Sequence, residues 1–142
     1  MSSTAACECL DKAARLCVST GDFGLAYATF ESIGIQFLDS NLLKFTAKRY
    51  FLNAIFSILA TGDAELAKNK LGEYKARDYT LASSVQCSFA DVLINAVAAG
   101  DASAYADVVL AHDRHSPLDP WTTSVLLQIK NALIASTFVN LT

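Results

Sequence analysis

Ile58-Leu59-Ala60-Thr61-Gly62-Asp63-Ala64-Glu65-Leu66-Ala67 is the stretch that decides the fold. An apolar run stops at a Gly-Asp pair, and a second run begins directly behind it. Glycine tolerates the left-handed conformation that ends many helices, and aspartate accepts hydrogen bonds from the free amides that open the next one. The stretch reads as the corner of an antiparallel helical hairpin. The same pair recurs at Gly21-Asp22 and Gly100-Asp101, which spaces the corners 41 and 38 residues apart. Such a period belongs to stacked helix-turn-helix units. It exceeds the roughly 34 residues of a tetratricopeptide repeat (TPR) and lies nearer the ~40 of HEAT arrays.

Outward from that corner, apolar spacing places the remaining helices. A first helix spans about Ser3 to Thr20 and a second runs over 23–35, with Phe23, Ala26, Tyr27, Phe30 and Ile33 on one side and Gly34 as its terminator. Asn41 reads as the cap of a long helix from Leu42 to Ala60, followed by a short one that carries Leu66, Ala67, Leu71 and Tyr74. A third hairpin pairs 80–99, with Val85, Phe89, Val92, Leu93 and Ala96 inward, with 101–112. Asp119 caps a final helix that has Pro120 at its first position, where a missing amide costs nothing, and that ends before Asn140. The expectation is one helical-repeat domain over 1–142, with hairpins at about 3–35, 42–74 and 80–112 and a last helix at about 120–139. Five residues past each glycine stand Ala26, Ala67 and Tyr105, small twice and large once.

Composition agrees with an all-α, TPR-like fold, being 53% hydrophobic with only two prolines. No apolar run approaches the ~20 residues needed to cross a bilayer. The N-terminus has no basic region ahead of an apolar one, so no secretory signal is expected. Cys7, Cys9, Cys17 and Cys87 form no C-x-x-C pair, which suits reduced thiols in a cytoplasmic protein. Cys7 and Cys9, two apart on a helix, point about 200° apart and do not converge on a metal.

Net charge is −3, which argues against general nucleic-acid binding, but its distribution is uneven. Residues 1–43 carry −3, residues 44–77 carry +4 and residues 78–142 carry −4. Within the basic block, Lys44 and Lys48 are expected to share a helix face at i,i+4 with Arg49 beside them, and Lys68 and Lys70 follow. Such a cluster attracts an acidic partner.

Catalytic signatures are missing. There is no glycine-rich phosphate loop, HExxH, GxSxG or carboxylate pair, so a binding protein without cofactor is expected in place of an enzyme. His112 and His115 are three apart and could offer two metal ligands on a continuous helix. Pro117 disfavours helix at Ser116, and the pair is read as part of a solvated loop with no metal. Trp121 reads as a core anchor at a helix start.

Two long runs carry a resemblance. Asp39-Ser40-Asn41-Leu42-Leu43-Lys44-Phe45-Thr46-Ala47-Lys48-Arg49-Tyr50-Phe51 and, further on, Leu118-Asp119-Pro120-Trp121 continuing to Ile129-Lys130 resemble the C-terminal half of the SNAP family, the soluble NSF attachment proteins, the alpha type above all. The resemblance implies a twisted sheet of helical hairpins ending in a C-terminal helical bundle. It also implies adaptor work: SNAP proteins lie along the SNARE four-helix bundle and recruit the AAA ATPase NSF, which pulls the bundle apart. Lys44 and Lys48 match lysines of the family run, whereas Arg49 stands where the family usually has an acid. Leu141 matches the penultimate leucine that the family uses toward the ATPase. The acidic residues expected near the end of the 80–99 helix and in the tail are replaced by Asn95-Ala-Val-Ala-Ala-Gly100 and Ala135-Ser-Thr-Phe-Val-Asn-Leu-Thr142. Localisation would be cytoplasmic and peripheral to membranes through SNAREs. The competing expectation is a divergent hairpin scaffold that binds another protein partner.

Overall fold

Three glycines turn the chain. Gly21, Gly62 and Gly100 have φ of 87°, 88° and 69°, a region in which any Cβ is strained. In the computed structural model, which describes residues 3–141 and the side-chain surroundings of 5–136, they join α1 (Ser3–Thr20) to α2 (Phe23–Leu38), α3 (Ala47–Ala60) to α4 (Ala64–Arg77), and α6 (Val85–Ala99) to α7 (Ala102–His115). A single helical turn, α5 (Tyr79–Ala82), precedes α6, and α8 (Pro120–Leu141) closes the chain. Among the described residues there is no strand. The aspartates behind the glycines cap as expected at two corners: Asp63 accepts from the Leu66 amide at 3.0 Å and Asp101 from the Ala104 amide at 2.9 Å. Asp22 makes no side-chain cap bond.

The core centres on α3. Every residue from Phe51 to Ala60 is buried, so these last ten residues of the helix are enclosed on all sides instead of presenting one apolar stripe. It packs on α2, α4 and α6, and α8 folds back to reach α3, α7 and α1. Val125, Leu126, Ile129 and Leu133 carry the α8 contribution to the core. Ala26, Ala67 and Tyr105, each five residues past a corner glycine, are all buried to within 1%.

Several expectations are corrected, beginning with the end of α8, which runs past Asn140 to Leu141. Gly34 does not end α2; it lies inside the helix, where a Cβ would stand 2.7 Å from Cε1 of Phe51. Its role is to let two helices approach. Residues 42–46 are not helical, and Asn41 caps nothing: the Ser40 hydroxyl accepts from the Leu43 amide, and the amides of Thr46 and Ala47 bond three residues back in successive tight turns. Leu42, 91% exposed, has no surface to pack on, so nothing rewards extending the amphipathic pattern there. The helix over 80–99 is broken, because Asp78 and Ser84 each act as an N-cap, Asp78 for the Thr80 amide and Ser84 for the Cys87 amide. Val85 and Val92 face outward, unlike Phe89, Leu93 and Ala96. His112 and His115 belong to α7 and not to a loop; the helix stops at Ser116, in extended conformation (φ −142°, ψ 98°) ahead of Pro117.

Candidate partner-binding site

The five cations singled out in the sequence do not form one face. Lys44 lies in the 40–46 turns, with its Nζ 5.2 Å from the Phe45 ring, beside Arg77, Asp78 and Tyr79. It therefore shares no helix face with Lys48. Lys68 and Lys70 leave α4 about 200° apart. Lys68 is exposed, whereas Lys70 is turned against α2 and bonds Glu31 and Glu73, each at 3.1 Å. Burial by itself would lower the Lys70 ammonium, but these bonds hold it above its usual value. The Tyr74 hydroxyl donates to the same Glu31 oxygen at 2.9 Å, and burial with the Glu31 charge pushes it up. Lys70 thus ties α4 to α2 and is poorly placed to meet a partner.

Lys48 and Arg49 are different. Both make no ion pair among the described residues. They open the stripe 48, 49, 52, 53, 56 along α3, which helical spacing brings to one side. That side faces a cavity of about 240 Å³ between α1, α3, α6, α7 and the link before α8. Leu52, Phe56 and Phe89 give its apolar lining, with Phe56 and Phe89 edge to face at 6.3 Å. Phe89 in turn stacks on the His112 imidazole at 3.9 Å and 8°. Arg15 of α1 reaches the same cavity while bonding Asp11 at 3.1 Å and lying 5.0 Å from the Trp121 ring. Trp121 meets Phe30 edge to face at 5.4 Å, in the anchoring role expected of it.

Among the described residues Asp119 is the one carboxylate on the lining, and it is already hydrogen-bonded. Its oxygens accept from the amide and hydroxyl of Thr122 as the cap of α8. Burial would raise this carboxyl, but the Thr122 bonds hold it below the usual range. With Arg15, Lys48 and Arg49 on the lining against that one ionised carboxylate, the electrostatic balance of the cavity is positive. Asn53 follows from the α3 stripe, whereas Arg15 and His112 complete the site although no local pattern marks them for it. They come from two other helices that only the tertiary fold brings to α3.

His112 supplies a pH test. Burial, and then the nearby His115, lower it below the ordinary 6.5, with Asp113 opposing. The folded state then binds fewer protons than the unfolded state between the folded value and 6.5. Stability contributed by neutral His112 is complete above pH 6.5 and is lost as pH falls through the folded value. Thermal unfolding between pH 7.5 and 5 should show a falling midpoint, and His112→Gln should flatten that slope. An unchanged slope in the variant would assign it to other groups.

Comparison with known proteins places these features. The family model described as "Soluble NSF attachment protein, SNAP" matches residues 1–134. The vesicular-fusion protein SEC17 of Coprinopsis cinerea is 35% identical over 126 residues, which is 89% of this chain and 44% of that protein. The alpha-soluble NSF attachment protein of Vitis vinifera is 32% identical over 133 residues, 94% of this chain and 46% of the relative. The corresponding protein of Homo sapiens is 30% identical over 132 residues, 93% and 44% respectively. The chain thus spans less than half the length of these relatives.

Proposed function

The chain belongs to the soluble NSF attachment protein family, and on that premise we propose that it is an adaptor that docks on assembled SNARE four-helix bundles and recruits the NSF ATPase in vesicle traffic. The observation that carries the docking half is the adjacent pair Lys48 and Arg49, without an ion pair among the described residues and set on a cavity of positive balance. Cations without an internal partner lose less on meeting an acidic surface than Lys70, which would have to leave Glu31. Lys44 and Lys68 are secondary contacts in this reading. Leu141 is assigned to the ATPase; it closes α8, and its side chain lies outside the described residues. No described helix is long and apolar enough to cross a membrane, and membrane association through the SNAREs is part of the proposal.

Co-sedimentation with an assembled SNARE bundle tests this. Binding should weaken with salt, since exposed charge contacts are screened over about 8 Å at physiological ionic strength. Lys48→Glu combined with Arg49→Glu should lower affinity about ten-fold or more with helical content unchanged. Undiminished binding by that variant would remove the pair from the interface.

A second reading, a hairpin scaffold for a different protein partner, draws on Leu42, Phe45 and Tyr79, which are 91%, 56% and 78% exposed near Lys44. Association that is insensitive to salt and lost in Phe45→Ser would favour it.

A further inference from the structure

The cavity behind Lys48 and Arg49 is chemically one-sided. Asn53 on its lining is 5% exposed, and its Nδ2 has no acceptor among the described residues. That donor has almost no accessible surface, so it is a cost to the fold and not a group that a ligand reaches. Lys48 and Arg49 on the lining make no ion pair among the described residues, and the one carboxylate there, Asp119, which caps α8, leaves them and Arg15 in excess. The rings of Phe56 and Phe89 line the same cavity. A bare inorganic ion would leave those rings facing water, a neutral ligand would leave the cations unmatched, and a cation would be repelled. The volume of about 240 Å³ falls just below the ~300 Å³ at which small-ligand sites usually begin, which limits an occupant to one ring or a short chain.

We propose that this cavity binds a small amphiphilic anion, a single carboxylate or phosphate group carried on one ring or a short apolar chain. The anionic group meets Lys48 and Arg49, and the apolar body lies against Phe56 and Phe89. The proposal goes beyond the adaptor reading and does not depend on it.

Titration of the full chain with benzoate, phenyl phosphate, benzamide and inorganic phosphate, followed in ¹H–¹⁵N spectra, tests the site. One of the two ring-bearing anions should bind saturably, move the amide signals of Lys48 and Arg49, and bind about ten-fold or more tightly than either benzamide or inorganic phosphate. Whichever of benzoate and phenyl phosphate is tighter identifies the acidic group. Lys48→Gln with Arg49→Gln, checked for unchanged helical content, should weaken that binding about ten-fold. The site is overturned if neither ring-bearing anion saturates, if benzamide or inorganic phosphate binds as well, or if the shifts map away from Lys48 and Arg49. No SNARE or ATPase enters this assay, so its failure leaves the adaptor reading standing.

Discussion

Phe51→Ala is expected to destabilise the protein by about 3–5 kcal/mol, the range for truncating a buried aromatic ring. Phe51 is completely buried, stacks on Tyr74 with centroids 4.6 Å apart, and presses its edge against the backbone of Gly34. Gly34→Ala isolates that last contact. Replacing a mid-helix glycine by alanine gains about 1 kcal/mol of helix propensity on its own. Here the new methyl carbon would stand 2.7 Å from a fully buried ring that is stacked on Tyr74. Overpacking of this kind costs about 1–3 kcal/mol, so the net effect in the parent chain should be a loss. With Phe51→Ala already in place, the same change should become stabilising by about 1 kcal/mol. Urea unfolding of the four proteins in the cycle measures the coupling. An equal cost of Gly34→Ala in both backgrounds would mean that the Phe51 ring is not the reason for the glycine.

Tyr105→Ala should be about as damaging, again about 3–5 kcal/mol, although it would make the repeat more regular. Ala26 and Ala67 occupy the equivalent places five residues past the other corner glycines. At the third corner the larger side chain reaches past its own hairpin, and its hydroxyl donates to the Leu126 carbonyl of α8 at 2.7 Å. Burial pushes that hydroxyl's pKa up, consistent with a phenol that stays protonated and donates. Tyr105→Phe should therefore cost only about 1 kcal/mol, the net worth of one hydrogen bond, while Tyr105→Ala also empties the space between α7 and α8. At about 4 °C per kcal/mol for a chain of this size, thermal unfolding separates the two variants easily. A loss below about 1 kcal/mol for the alanine variant would show that α8 is held by its other contacts alone.

Family membership gives these residues their setting. The hairpin corners and the capping of α8 were legible locally, because left-handed glycines, aspartate caps and a proline at the first helical position act within a few residues of themselves. The start of α3 was not. Leu42, Leu43 and Phe45 continue a plausible amphipathic pattern, but a pattern becomes a helix only where another surface buries it, and Leu42 meets none. Ser84 was missed for a related reason: a serine within a helical pattern reads as neutral until its hydroxyl is seen to take the Cys87 amide.

The candidate site divides the same way. Net basicity of the 44–77 block is a property of composition, and the sequence by itself determined it, together with an all-helical repeat turned at three glycines. Which cations are free was decided by the tertiary structure alone. Lys70 and Lys48 look alike in sequence, but Glu31 arrives from another hairpin to bind Lys70, and among the described residues no acid pairs with Lys48. The partner of a charge, the acceptor missing at Asn53 and the ring that Gly34 admits all depend on segments far apart in the chain. Local preferences set where helices turn, and only packing sets what each side chain meets.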